Sequence, residues 1–106
     1  CHINYHSAGN AMYYGSILSN AATLARTATL YQTLKGYNGY KVIPIKSTDK
    51  ASGSFADFVT VEFQRPTVTV EIGKKNPVPI GEFDGIFKKN RDTWGAVAFM
   101  LYMGAL

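Results

Sequence analysis

Two residues of this sequence combine a reactive side chain with a placement that hydrolytic chemistry can use, His6 and Glu71. Glu71 closes the run Thr67-Val68-Thr69-Val70-Glu71-Ile72. Its alternation puts Thr67, Thr69 and Glu71 on one face of a strand and Val68, Val70 and Ile72 on the other. Gly73, then Pro77 and Pro79, stop the run at once. A carboxylate at such a tip can take a proton from a water in a cleft, or it can be an ordinary solvated residue. His6 ends a second alternating stretch, in which Ile3 and Tyr5 oppose His2, Asn4 and His6, just before the loop Ser7-Ala8-Gly9-Asn10. If the two strands are neighbours, imidazole and carboxylate reach one cleft at the end of a sheet, where ligands of open α/β sheets gather. His2 reads as a structural or surface histidine.

One competing motif is excluded. His2 and His6 have the H-x-x-x-H spacing of helical zinc proteases, but the residue after His2 is Ile3, not a glutamate. On a strand, residues four apart are separated by about 13 Å at ~3.3 Å per residue, too far to share one zinc.

The elements that must position these residues follow from periodicity and punctuation. "AMYYG" reads as a short strand. Ala21, Leu24, Ala25, Ala28, Tyr31 and Leu34 recur at helical spacing, with Ser19 or Asn20 as the cap and Gly36 as the stop. "KVIPI" is a short extended run whose Pro44 argues against a central strand. "STDKASGS" is a polar loop, and "FADFVTVEF" is assigned to a short helix. From residue 81 to 103, Phe83, Ile86, Phe87, Trp94, Val97, Ala98 and Leu101 mark one stripe of a long helix. Strands alternating with helices of this length predict an α/β layer fold with a mixed sheet.

Bulk properties narrow the function classes. The 106 residues suffice for one small domain, and 46% hydrophobic with 17% charged residues is a globular composition. The net charge of +4 comes from scattered lysines and arginines, with no basic run or aromatic signature of nucleic-acid binding. A single cysteine excludes an internal disulfide and a Cys-rich zinc module. The apolar C-terminal run "WGAVAFMLYMGAL" is only 13 residues long, too short to span a bilayer. The opening "CHINYH" reads as the middle of a strand, so the expectation is a piece of a longer protein with an open sheet edge that self-associates.

Two long segments resemble the zinc carboxypeptidases (the funnelin family). "INYHSAGNAMYYG" resembles the segment carrying their third zinc ligand, a strand ending in His-Ser/Thr followed by an apolar-aromatic strand. "ASGSFADFVTVEFQRPTVTVEIGKKNPVPIGEFDGIFKKN" resembles their catalytic segment, with Asp57 and Glu71 fourteen residues apart as that pattern requires. "TVEIG", "NPVP" and "EFDGIF" are most similar to the bacterial branch that cleaves γ-D-glutamyl–diaminopimelate bonds in murein peptides.

The resemblance implies that residues 1–106 are the C-terminal segment of a three-layer α/β/α sandwich with a mixed sheet. It implies one zinc ion with His6 as a ligand and Glu71 as the general base, and a murein-peptide substrate. Ser52, Gly53 and Ser54 would lie in the loop bounding the substrate pocket; the usual place of the family's mobile tyrosine holds Asp49, so that role is either unfilled or taken by another residue such as Tyr40. The implied setting is secreted or wall-associated, with a cytoplasmic one as the alternative. Two departures stand out: no H-x-x-E pair occurs in the chain, and the basic residues that grip the substrate in this family belong upstream. The expectation is therefore a metallopeptidase segment that is inactive alone. The alternatives are a wall-peptide-binding relative without catalysis and an unrelated basic binding module.

Overall fold

The computed structural model describes residues 1–14, 18–44 and 54–106. Among the described residues four strands form one mixed sheet: β1 (His2–Ser7), β2 (Ala11–Tyr14), β3 (Lys41–Pro44) and β4 (Thr67–Ile72), in the order β1-β4-β2-β3. β1 runs parallel to β4, β2 runs antiparallel to β4, and β3 runs parallel to β2. β3 lies at an edge, which is where a strand ending in proline is tolerated.

The alternation of β4 decides what covers each face. Val68 and Val70 are buried against Met12, Leu30, Tyr31 and Leu34, so α1 (Ala21–Asn38) packs on the valine face. Near α1, on the same side, stand α3 (Phe83–Asn90) and α4 (Thr93–Tyr102), with Val97 of α4 joining this core. The threonine face takes α2 (Phe55–Phe63), whose Thr60 hydroxyl lies 3.1 Å from that of Thr67 with both side chains buried. His2 meets Phe55 of α2 edge-on at 4.9 Å between ring centres. Helices thus lie on both faces of a mixed sheet.

Four expectations about the helices need correction. Asn20 does cap α1, its side chain accepting from the Thr23 backbone N–H at 2.8 Å. Yet the helix continues through Gly36 and ends at Asn38, where Gly39 adopts φ 67°. Its buried stripe is Thr23, Thr27, Leu30, Tyr31, Leu34 and Asn38, whereas Ala21 and Ala25 are exposed and Leu24 is largely so. Thr23 and Thr27 are buried in place of the alanines, and the Thr23 hydroxyl donates to the Gln64 carbonyl at 3.0 Å.

The long C-terminal helix is in fact a 3-10 turn at Ile80–Glu82, then α3, then α4, with a break at Arg91 and Asp92. The break has a local cause. The Thr93 hydroxyl donates to the Asn90 carbonyl, and the Asn90 amide donates to the Ile86 carbonyl and to the Tyr40 hydroxyl. Asn38 completes this buried network, donating to Asn90 and accepting from the Tyr40 backbone N–H. Side-chain bonds that pin Asn90 inward win over straight helix propagation. Of the expected stripe only Val97 is buried, while Phe83, Trp94 and Ala98 are exposed.

Candidate functional site

The sheet register decides the question raised by His6 and Glu71. β1 and β4 are adjacent and parallel, and His6 pairs with Glu71 as Asn4 pairs with Thr69. Paired residues of neighbouring strands point to the same face, about 4.8 Å apart. The imidazole and the carboxylate therefore stand side by side at the ends of their strands, on the face that α2 covers only nearer its start. Among the described residues Glu71 forms no ion pair, so its carboxylate is not consumed by a structural partner.

The loop beyond the pair is fixed by backbone bonds. The Gly9 N–H donates to the Gly73 carbonyl at 2.9 Å, tying the exit of β1 to the exit of β4. Gly73 has φ 75°, and a side chain there would place its Cβ 2.6 Å from a Val78 methyl. Only glycine fits that position. A Cβ on Gly9 would stand 3.6 Å from that of Glu71, so the absent side chain keeps space open beside the carboxylate.

Asn4 was not singled out in the sequence, although it shares the His6 face two residues earlier. Its Nδ2 lies 2.8 Å from His6 Nε2. The amide thereby engages one ring nitrogen and leaves Nδ1 as the nitrogen without a partner among the described residues. Second partners of this kind orient an imidazole for proton or metal chemistry.

The other expected site residues fall elsewhere. His2, at the opposite end of β1, packs on Phe55, and burial holds its pKa below the ordinary value. Ser54 caps α2 in a capping box, its hydroxyl accepting from the Asp57 N–H at 3.1 Å and donating to the Asp57 carboxylate at 3.0 Å. Its neighbour Phe55 contacts His2, at the far end of β1 from His6. Ser52, Gly53 and Asp49 lie outside the described residues. Tyr40 is buried at the start of β3, with β2 between it and β4, and its hydroxyl accepts from Asn90 at 3.2 Å. Burial pushes the Tyr40 phenol pKa up. Among the described residues no three His, Cys, Asp or Glu side chains cluster closely enough to hold a metal ion. None of the described helices is long and apolar enough to cross a membrane.

On the valine face an apolar groove of about 310 Å³ runs between Tyr5, Ile72, Val78, Phe83, Phe87 and Trp94. The Trp94 indole donates to the Tyr5 hydroxyl at 3.1 Å and closes one side. At the same end of the sheet as Glu71 lies a smaller pocket of about 170 Å³, lined by Asn10, Tyr40, Lys74, Glu82, Ile86 and Lys89. The scattered lysines gave no sign in the sequence that two of them share it.

No protein-family model matches the chain. Over 86 residues, 80% of the chain, it is 31% identical to the γ-D-glutamyl-L-diamino acid endopeptidase 1 of Lysinibacillus sphaericus. That alignment covers 20% of the relative, so the chain spans about one fifth of its length. An α/β unit with a mixed sheet and a distant relationship to a peptidase is what the fold and the comparison together establish.

Proposed function

We propose that this chain is the base-bearing segment of a peptidase acting on γ-glutamyl bonds of murein peptides, related to the zinc carboxypeptidases and working outside the cell or at its wall. The observation that carries the reading is the parallel register that sets His6 beside Glu71 at the end of β1 and β4. In this reading the Glu71 carboxylate accepts the proton of a water as its oxygen attacks the scissile amide carbon. The same carboxyl then gives that proton to the departing amine, and the C–N bond breaks. Gly9 carries no side chain next to Glu71, leaving the substrate backbone room to approach there, while Gly73 lets the turn close against Val78.

The zinc implied by the resemblance is only partly provided for. A catalytic zinc takes three protein ligands, and the described residues hold no such group. His6, oriented through Asn4, is one donor of suitable chemistry, and any further ligands belong outside the described residues. The sheet with helices on both faces is compatible with a segment of a three-layer sandwich, which belongs to the same proposal.

The test is to incubate the complete protein with a γ-D-glutamyl–diaminopimelate peptide and follow release of the diaminopimelate amine by mass spectrometry. Cleavage at that amide, with an α-linked isomer left intact, is the expected result. Peptide binding with no cleavage would select the non-catalytic wall-peptide binder instead, and neither binding nor cleavage would remove the peptide reading altogether.

A further inference from the structure

We propose that the pocket of Lys74 and Lys89 receives a carboxylate of the substrate, namely the free α-carboxylate of a γ-linked glutamyl residue, an assignment that rests on the peptidase reading above. Its charge favours an anion. Two ammonium groups line it against one acid, and neither lysine is in an ion pair among the described residues. Glu82, the one acid, is held by the backbone, its Oε2 accepting from the Lys74 N–H at 3.2 Å. Lys89 Nζ lies 5.6 Å from the centre of the Tyr40 ring, whose face steadies the charge without neutralising it.

The walls are built, not incidental. Tyr40 is 2% exposed and is fixed by the Asn90 bond to its hydroxyl, so one side of the pocket belongs to the buried network that breaks the C-terminal helices. Asn10 adds a side-chain amide able to donate to a carboxylate oxygen. A volume of about 170 Å³ suits a carboxylate-bearing group and not a whole peptide.

Position connects the pocket to the candidate base. Asn10 lies between Gly9, which adjoins the Glu71 Cβ, and Ala11, whose Cα pairs with Glu71 across β2 and β4. Lys74 follows Glu71 by three residues, after the Gly73 turn. The pocket thus adjoins the strand end that carries Glu71, where a group a few bonds from a reacting carbonyl can be received. A γ-linked glutamyl residue offers such a group, because its α-carboxylate takes no part in the amide. An α-linked residue does not, since there that carboxyl is consumed in the bond. Ammonium–carboxylate pairs supply selectivity of this kind.

The experiment titrates the isotopically labelled full chain by NMR with two probes, γ-D-glutamyl–diaminopimelate and the same dipeptide with its glutamyl α-carboxylate converted to a carboxamide. The acid should move the backbone signals of Asn10, Lys74, Ile86 and Lys89, and the carboxamide should bind about tenfold more weakly. Lys74→Gln and Lys89→Gln should each weaken the acid about three- to tenfold and leave the carboxamide unchanged, with Arg26→Gln on the exposed side of α1 as the control. Equal affinity for both probes, or wild-type affinity in both lysine variants, overturns the assignment. So does acetate alone moving the same signals as strongly as the peptide. The readout is binding, so a failure of hydrolysis elsewhere leaves this result to stand or fall by itself.

Discussion

Replacing Gly73 by alanine tests the turn that holds the rim of the candidate site. Gly73 is buried at φ 75°, and an added Cβ would meet Val78 Cγ2 at 2.6 Å and Cγ1 at 2.9 Å. Left-handed backbone costs an L-residue about 1–2 kcal/mol. Driving a methyl into packed neighbours costs about 1–3 kcal/mol more. The sum, roughly 2–5 kcal/mol, is a large share of the ~5–15 kcal/mol that stabilises a typical domain. Because the two contributions have different origins, a second substitution separates them. Val78→Ala removes the methyls that clash, so the double variant should be about 1–3 kcal/mol less destabilised than the sum of the single variants. It should still retain the backbone penalty. Urea denaturation followed by circular dichroism gives all four values. A Gly73→Ala change within about 0.5 kcal/mol of wild type, or strict additivity with Val78→Ala, would refute this account of the turn.

The buried Thr60–Thr67 hydroxyl pair should behave as a unit. Thr60→Val alone should cost about 1–3 kcal/mol by stranding the Thr67 hydroxyl, whereas the double valine variant should lie within about 1 kcal/mol of wild type in the same denaturation assay. His2 should make stability depend on pH. Burial lowers its folded pKa below the ordinary 6.5, so the neutral ring is favoured by folding, and that stability is present above 6.5 and lost as pH falls through the folded value. His2→Gln should flatten this acid-side slope, and an unchanged slope would assign it to other groups. The outer edge of β1 pairs with no strand among the described residues, so the isolated chain should self-associate, and light scattering that shows a monomer at all concentrations would contradict this.

Local pattern made the strands of the site legible. The alternation of Thr67 to Ile72 and of His2 to His6 assigned both faces correctly, because a period of two admits one arrangement once valines must be buried. The adjacency of β1 and β4 was not local: some sixty residues separate them, and only a resemblance suggested it. Helix faces were read less well. In α1 both the alanines and the threonines recur at helical spacing, and the folded helix buries Thr23 and Thr27 while Ala21 and Ala25 stay exposed. Asn90 and Thr93 looked like ordinary helix residues. Their effect depends on Asn38 and Tyr40, which lie 52 and 50 positions before Asn90. The lysine pocket was hidden for the same reason, since Lys74 and Lys89 come together only through the turn and α3.

The central claim is that Glu71 is a proton-transferring base and not a surface carboxylate. Its most direct test is Glu71→Gln in the complete protein, with turnover of a γ-D-glutamyl–diaminopimelate peptide and affinity for that peptide measured side by side. The amide keeps the shape and removes the base, so turnover should fall by at least about 10²–10⁴-fold while affinity stays within a few-fold. A variant that cleaves the peptide at near-normal rate would contradict the account.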